Sequence, residues 1–159
     1  MHIFNVNLLI YYLYILFIVI DDKFSCVINM ELNKNLFEKL ANDAAKLPRM
    51  RINFDLRDSS EEQCQRMLNI LLPGTFVAPH KHEDTSEVVV CIYGTVIERL
   101  YDNEGREVQK IEMQAGGKVP GVWIEKGMLH SLEAKDSMSV VFSCKAGMYD
   151  VNKSIFLKV

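Results

Sequence analysis

The chain has 159 residues, of which 49% are hydrophobic and 25% are charged, and its formal net charge at pH 7 is −3. This length predicts one domain rather than two. The composition is that of an ordinary globular protein and excludes a disordered chain, a collagen-like chain and a polytopic membrane protein. The slightly acidic balance gives no basic field, so we expect no nucleic acid among its partners.

The N-terminal segment differs from the rest of the chain, because residues 3–20 carry no charge and residues 8–20 are all apolar. A membrane-spanning helix needs about 20 predominantly apolar residues, a length that residues 3–20 approach only if Asn5 and Asn7 are tolerated. A cleaved signal would need a basic start and a small-residue cleavage site, and neither is present. Translation that begins at Met30 is favoured, while a membrane anchor and a cleaved signal stay open.

We therefore predict an apolar segment over residues 1–29 and a single domain over residues 30–159. The four cysteines are widely spaced and form no C-x-x-C pair, which indicates reduced, buried thiols rather than a disulfide framework. This pattern predicts a cytoplasmic protein. Membrane attachment is expected only if residues 3–20 are part of the native protein and remain uncleaved.

The first predicted element after Met30 is an amphipathic helix over residues 33–47, which Pro48 ends. Residues 49–60 alternate polar and apolar side chains and predict an extended segment. Residues 59–72 are ambiguous. Ser60 with Gln63 could form the capping box of a helix, but alternate residues from Cys64 to Leu72 also follow the period of a strand.

From Pro73 onward the pattern predicts short strands separated by turns rich in glycine and proline. The run of β-branched residues at 86–93 predicts a strand that is buried on both faces. Further strands are predicted over residues 95–101, 107–113, 122–125, 131–134 and 137–144. Many short strands at this spacing indicate a β-sandwich or a β-barrel.

Three of the four histidines fall in this β region. His80 and His82 stand two residues apart on a predicted strand, so both imidazoles point to the same face. Glu87 follows on the next strand and His130 lies far downstream. Imidazole and carboxylate groups together suit a divalent transition metal, and four such ligands leave coordination positions open for water, dioxygen or a substrate oxygen.

An H-x-H pair alone is weak evidence for a metal site, but its surroundings are specific. Residues 74–94 read GTFVAPHKHEDTSEVVVCIYG, which has the form G-x5-H-x-H-x4-E-x6-G. This resembles the first sequence motif of the cupin superfamily at every fixed position. Only the centre of the second cupin motif is present, as Gly127-x2-His130, with Glu125 and Ala134 in place of its usual Pro and Asn.

Residues 30–150 as a whole resemble the WbuC family of cupin-fold metalloproteins. The similar segments are PRMRINFDL, CQRMLNILLPGTFVAPHKH, SEVVVCIYG, YDNEGREV and CKAGMYD. The resemblance implies a mainly β cupin fold, a double-stranded β-helix or jelly-roll barrel, with a short N-terminal α-helix. It also implies that residues 64–72 form a strand, that Met30 is the start of the chain and that the protein forms a homodimer.

The resemblance further implies a site near the mouth of the barrel. His80, His82, Glu87 and His130 are the implied ligands of one divalent transition metal ion, which could be Fe, Mn, Zn or Ni. A small barrel can also hold a small-molecule ligand. We predict that Arg51, Asn53 and Arg66 bind an anionic substrate, because arginine pairs with carboxylate and phosphate groups through two hydrogen bonds. Lys145 and Tyr149 are weaker candidates.

Some positions depart from the family pattern. Members often carry a His near Arg57, a Glu near Ser143 and a G-P-Y sequence where this chain has Gly147-Met148-Tyr149. If these positions line the pocket, we expect a different ligand preference in this protein.

The function implied by the resemblance concerns surface polysaccharides, because the family is often associated with O-antigen gene clusters. We therefore expect a sugar or sugar-nucleotide ligand. Three hypotheses stay open: a metal-dependent enzyme such as an isomerase or epimerase, a non-catalytic metal- or ligand-binding cupin, and a ferrous dioxygenase. The fold does not decide among them.

Overall fold

The computed structural model describes residues 30–135, 137–150 and 153–157, and Asn33–Val159 form one compact unit. The predictions for residues 1–29, Cys26 included, lie outside the described residues. Cys64, Cys91 and Cys144 have free thiols. In the described part of the chain, no helix is long and apolar enough to cross a membrane.

The predicted N-terminal helix is present as α1 (Lys34–Ala44). It begins where the side chain of Asn33 accepts a hydrogen bond from the backbone N–H of Leu36 at 3.1 Å. Its buried residues are Phe37, Leu40 and Ala44, and of these Phe37 and Leu40 pack with Leu68 and Ile70 in one hydrophobic cluster. The helix is three residues shorter than predicted at its C-terminal end, because residues 45–47 form turns that lead into Pro48.

Among the residues that the structure describes, ten strands form two five-stranded antiparallel sheets. The first sheet has the order β1 (Arg51–Asp55), β2 (Cys64–Leu71), β9 (Ser139–Ala146), β4 (Glu87–Tyr93) and β7 (Gly121–Ile124). The second sheet has the order β10 (Ser154–Phe156), β3 (Phe76–His82), β8 (Leu129–Ala134), β5 (Thr95–Tyr101) and β6 (Glu107–Gln114). The ambiguous segment after residue 59 thus contains a strand, as the resemblance implied.

The hydrophobic core lies between the two sheets and contains residues from both, such as Val89 and Val141 of the first sheet and Val96 and Leu132 of the second. Side chains alternate along β2, so that Leu68 and Ile70 pack under α1 while residues 65, 67, 69 and 71 line the space between the sheets. The strand register places Arg51 and Asn53 of β1 opposite Leu71 and Asn69 of β2. Arg51 and Asn53 therefore face the space between the sheets.

The two sides of the sandwich differ. On one side β6 lies against β4 and β7, which closes the space between the sheets. On the other side the edge strand β1 approaches β3, where the Nη1 group of Arg51 donates a hydrogen bond to the carbonyl of Phe76 at 3.4 Å. Arg49 and Asn53 on this second side are exposed and also line the space between the sheets, so the interior reaches solvent there.

The structure differs from the predicted strands at two places. The outer face of strand β4 is only partly buried: Ile92 packs against the cluster under α1, but Val88 is 41% exposed and lies opposite Trp123 of β7, which is 59% exposed. The β-branched run was read as buried on both faces, but no further layer covers this part of the sheet among the described residues. Strand β10 was not predicted; it pairs with β3 and places Phe156 opposite His80.

Candidate metal centre

Strands β3 and β8 bring the three histidines together. His80 lies directly opposite His130 in the strand register, and His82 follows two residues along β3 on the same face. The ring centroids of His80 and His130 are 4.3 Å apart, and those of His82 and His130 are 5.7 Å apart. One nitrogen from each ring lies within 4.8 Å of the others, close enough to hold one metal ion together.

Backbone carbonyls orient two of these rings. The Nδ1 atom of His80 lies 2.9 Å from the carbonyl oxygen of Ala78, and that of His130 lies 3.0 Å from the carbonyl oxygen of Met128. A carbonyl oxygen only accepts, so each Nδ1 must carry the hydrogen and donate it. The lone pair of each neutral ring is then on Nε2, as in histidines that bind metals through this atom.

Glu87 on β4 completes the cluster from the opposite sheet. Its Oε2 atom lies 3.3 Å from Nε2 of His82 and 3.7 Å from Nε2 of His130. Burial raises the pKa of the Glu87 carboxyl, but its contacts with His130 and His82 and the nearby charge of Lys145 lower the pKa well below its ordinary value. Glu87 is therefore a carboxylate at neutral pH.

His80 is suited to binding a cation because it is neutral at pH 7. Burial, together with the neighbouring ring of His130, lowers the pKa of His80 to about 4. A neutral imidazole keeps the lone pair that a metal requires. Three imidazoles and one carboxylate form a donor set that fits a divalent transition metal.

Lys145 of β9 is the one cation that reaches the cluster among the described residues. Its Nζ atom lies 2.7 Å from Nε2 of His82 and 3.9 Å from Oε2 of Glu87. Burial lowers the pKa of the Lys145 amine. The amine and a metal ion would use the same lone pair of His82, so Lys145 must move aside when a metal binds.

A cavity of about 200 Å³ adjoins the cluster between the sheets. Arg51 and Asn53, both predicted to bind substrate, line this cavity, as do Lys145 and Tyr149. Arg66 does not line it. It follows the outward parity of β2, where its Nη2 atom donates to Glu62 at 2.6 Å and to the carbonyl of Leu56.

Two charged residues of the cavity were missed from the sequence, Arg49 and Glu98. Arg49 lies in a turn before β1, although the sequence predicted an extended segment from residue 49. Glu98 lies on β5 and is only 1% exposed. Burial, and secondarily the charge of Glu87, raises the pKa of the Glu98 carboxyl well above its ordinary value. The inward parity of Glu98 with Val96 in a predicted strand was the available signal.

Residues 32–113, just over half of the chain, match a family described as "Domain of unknown function (DUF6016)". The chain belongs to this family. A sequence comparison with curated proteins gives no significant match.

Solved structures similar to this chain are cupin-fold proteins. The capsular polysaccharide assembling protein CapF from Staphylococcus aureus is 22% identical with a TM-score of 0.55, over 68% of this chain and 35% of CapF. Oxalate decarboxylase from Bacillus subtilis is 19% identical with a TM-score of 0.55, over 67% of this chain and 27% of the enzyme. The chain thus spans about a third of the length of CapF and about a quarter of the length of oxalate decarboxylase. At these identities the likeness establishes the fold alone, and the predicted cupin jelly roll is confirmed.

Proposed function

We propose that this protein is a metal-dependent cupin that binds or transforms a small polar anion, such as a sugar derivative. The observation that carries the proposal is the convergence of three imidazoles and one carboxylate on a cavity that two arginines also line. His80, His82, His130 and Glu87 would hold one divalent metal ion. Such an ion polarises carbonyl or hydroxyl oxygens of a ligand or acidifies a bound water.

The size of the cavity limits the ligand. Sites for drug-sized molecules have volumes of about 300–1,000 Å³, whereas this cavity has about 200 Å³. A single sugar ring or an organic acid of similar size suits it. A sugar nucleotide would place only its sugar inside, with the nucleotide outside the open side of the sandwich.

A role in surface-polysaccharide biosynthesis is part of this proposal. It is supported by the resemblance to the WbuC family and by the structural likeness to CapF, a capsular polysaccharide assembling protein. The metal is proposed to be Fe, Mn, Zn or Ni; Mn(II) centres are known in the oxalate decarboxylase that shares the fold. The proposal also includes a single domain over residues 30–159, a cytoplasmic location and a homodimer, all of which rest on the sequence.

Metal analysis of the full chain, purified without added metal, tests the site. We expect about one metal ion per chain, and loss of that ion in the double variant His80→Ala/His82→Ala, because two of the four ligands are removed. The matched control is His2→Ala, which changes the one histidine of the sequence outside the cluster. Circular dichroism establishes that each variant is folded.

A folded double variant that keeps its metal would show that the site is elsewhere.

The same samples distinguish the hypotheses about the reaction. Bound iron together with oxygen uptake on small acids or sugars favours a dioxygenase, whereas tightly bound zinc without turnover favours a non-catalytic binding protein.

A further inference from the structure

The cavity contains a second buried carboxyl group, that of Glu98. Strand β5 pairs with β8, and in that register Leu100 lies opposite His130 while Glu98 lies opposite Leu132. Glu98 therefore points to the same side of the sheet as His130, two residue pairs further along the strands. It lines the cavity although its side chain is almost fully shielded from bulk water.

The carboxyl of Glu98 lacks a complete set of partners. Its Oε1 atom is buried and accepts no hydrogen bond from the described residues. A buried polar group without a partner costs about 1–3 kcal/mol, and neighbouring cavity groups avoid this cost: Asn69 donates to Ser143 at 3.2 Å and Lys145 donates to His82. Oε1 of Glu98 is thus a hydrogen-bonding atom that a ligand in the cavity could use.

Positive charge lies at the other side of the cavity. Arg49 and Arg51 stand at or before the edge strand β1, on the open side of the sandwich. Glu98 is on β5, next to β6 on the closed side. In the second sheet β3 and β8, which carry the histidines, lie between β5 and the side that β1 approaches. A molecule that fills the cavity therefore meets arginine at the entrance, the histidine cluster along its length and Glu98 at the back.

The walls between these ends mix polar and apolar side chains. Asn53 and Asn69 offer amide groups on the first sheet, where aliphatic side chains also line the cavity, and Val77 and Leu132 offer an apolar surface on the second sheet beside the histidines. Amide groups among aliphatic side chains suit a molecule with several hydroxyl groups and a hydrocarbon face. An anionic group at one end matches the two arginines.

We propose that the ligand is a small anionic polyol, either a sugar acid or a sugar phosphate, and that Glu98 binds one of its hydroxyl or carbonyl oxygens at the back of the cavity. Arg49 and Arg51 hold the carboxylate or phosphate at the entrance. Glu98 is thus a ligand-binding residue beside the metal cluster and is not a metal ligand. The high pKa of Glu98 supports this role, because a protonated carboxyl both donates and accepts hydrogen bonds. This inference rests on the proposed function and specifies its ligand class.

Isothermal titration of the full, metal-loaded chain with four probes tests the ligand class. D-gluconate carries a carboxylate on a polyol, D-glucose 6-phosphate carries a phosphate, D-glucose carries no charge, and acetate carries a charge without hydroxyls. We expect one of the two anionic polyols to bind at least about tenfold more tightly than both glucose and acetate. The tighter of the two identifies the anionic group.

Two variants test Glu98 itself. Glu98→Leu removes the hydrogen bond and should weaken the tighter anionic polyol about tenfold, a difference of about 1.4 kcal/mol, with acetate binding unchanged. Glu98→Gln keeps one donor and one acceptor at the same place and should retain most of the affinity. Metal content is measured on every sample, so only proteins with equal metal are compared.

Three results would overturn the inference: equal affinity of Glu98→Leu and the unchanged protein for the anionic polyols, glucose binding as tight as that of both anions, or no binding of either anion. Each of these leaves the metal content untouched and is distinct from a failure of the proposed function. That function fails when the folded double histidine variant keeps its metal.

Discussion

Two buried glutamates in one cavity have opposite surroundings. Glu87 lies within 3.9 Å of two imidazoles and one amine, and these partners keep it ionised. Glu98 is shielded from water and receives only the repulsion of Glu87, so it keeps its proton. Separating the pKa values of two carboxyls in this way gives them different roles. Glu87 supplies negative charge for a cation, and Glu98 supplies hydrogen bonds.

The cost of Glu98 leads to a stability prediction. We expect Glu98→Leu to raise the free energy of unfolding of the chelator-treated protein by about 1–3 kcal/mol at pH 7, because it removes a buried polar group without a full set of partners. The folded pKa of Glu98 is raised, so above about pH 4.5 the unfolded chain loses a proton that the folded chain retains. The free energy of unfolding of the unchanged protein therefore falls as pH rises. The difference in this free energy between Glu98→Leu and the unchanged protein should grow between pH 4.5 and 7. Urea unfolding across this range measures it.

The control for this prediction is Glu112→Leu, since Glu112 is exposed on β6 and pairs with Lys135. That variant should change stability little at any of these pH values. A Glu98→Leu protein less stable than the unchanged one at pH 7 would contradict the account and indicate that Glu98 has a stabilising partner.

Lys145 leads to a prediction about metal affinity. Its amine occupies the lone pair of His82 and adds positive charge beside Glu87. We expect Lys145→Met to tighten metal binding about tenfold, or by about 1.4 kcal/mol, since a competing cation is removed while the aliphatic packing is kept. Competition with a chromogenic chelator measures the dissociation constant.

Lys81→Met is the matched control, because Lys81 lies between the two histidines on β3 and pairs with Glu83. Its affinity for metal should equal that of the unchanged protein. Weaker binding in Lys145→Met would mean that Lys145 orients the ligands rather than competing with the metal.

At the residue scale, sequence spacing predicted which side chains share a face within a single strand. His80 and His82 share a face because side chains alternate along a strand with period two. Glu87 is five residues further along the chain, on β4 of the other sheet. Arg66 was predicted to bind substrate because the ambiguous pattern of residues 59–72 left the two faces of β2 unassigned. Its side chain is on the outer face of β2 and does not line the cavity. Glu98 was missed because its role depends on the pairing of β5 with β8, a contact between distant parts of the chain.

At the element scale, the chain passes from the first sheet to the second through Gly94, the single residue between β4 and β5. Gly94 has a φ of 75°, and a Cβ atom there would lie 2.6 Å from both the carbonyl oxygen of Met138 and Oγ of Ser139. Gly74, the other terminal glycine of the cupin motif, has a similar φ of 78° but no heavy atom within 4 Å of such a Cβ. The two positions share backbone strain and differ in available space.

This difference predicts the effects of alanine at the two glycines. Gly74→Ala should lower the free energy of unfolding by about 1–2 kcal/mol, the usual cost of a left-handed conformation. Gly94→Ala should cost at least about 1 kcal/mol more, because β9 must also move. Thermal and urea unfolding compare them. Equal losses at both positions would show that the close approach of residues 138 and 139 is not rigid.

Elements that alternate clearly were predicted well, and those that depend on tertiary contacts were not. The predicted strand over residues 95–101 agrees with β5, and the strand over residues 107–113 is one residue shorter than β6. Strand β10 has three residues and, within the described ranges, pairs with β3 alone, so its formation depends on an edge that no local pattern reveals. The exposed face of β4 also could not be inferred, because β-branched residues favour a strand whether one face or both are covered.

At the scale of the whole molecule, the metal cluster draws on both sheets. His80, His82 and His130 belong to the second sheet and Glu87 to the first. The folded chain presents these four groups together, whereas the unfolded chain separates them by up to 50 residues of sequence. A cation that binds them binds the folded state preferentially, and it links the two sheets at the cavity in addition to the hydrophobic core.

Metal should therefore stabilise the protein by mass action. At a free metal concentration about 100 times the dissociation constant, the free energy of unfolding should rise by about 2.7 kcal/mol. We expect the unfolding midpoint of the full chain to increase with added Mn²⁺ or Zn²⁺ and to return after chelation. The His80→Ala/His82→Ala variant should show no such increase, and His2→Ala should behave as the unchanged protein. An equal increase in the double variant would mean that the cation stabilises the fold at another place, and the two sheets would then be held together by the core between them alone.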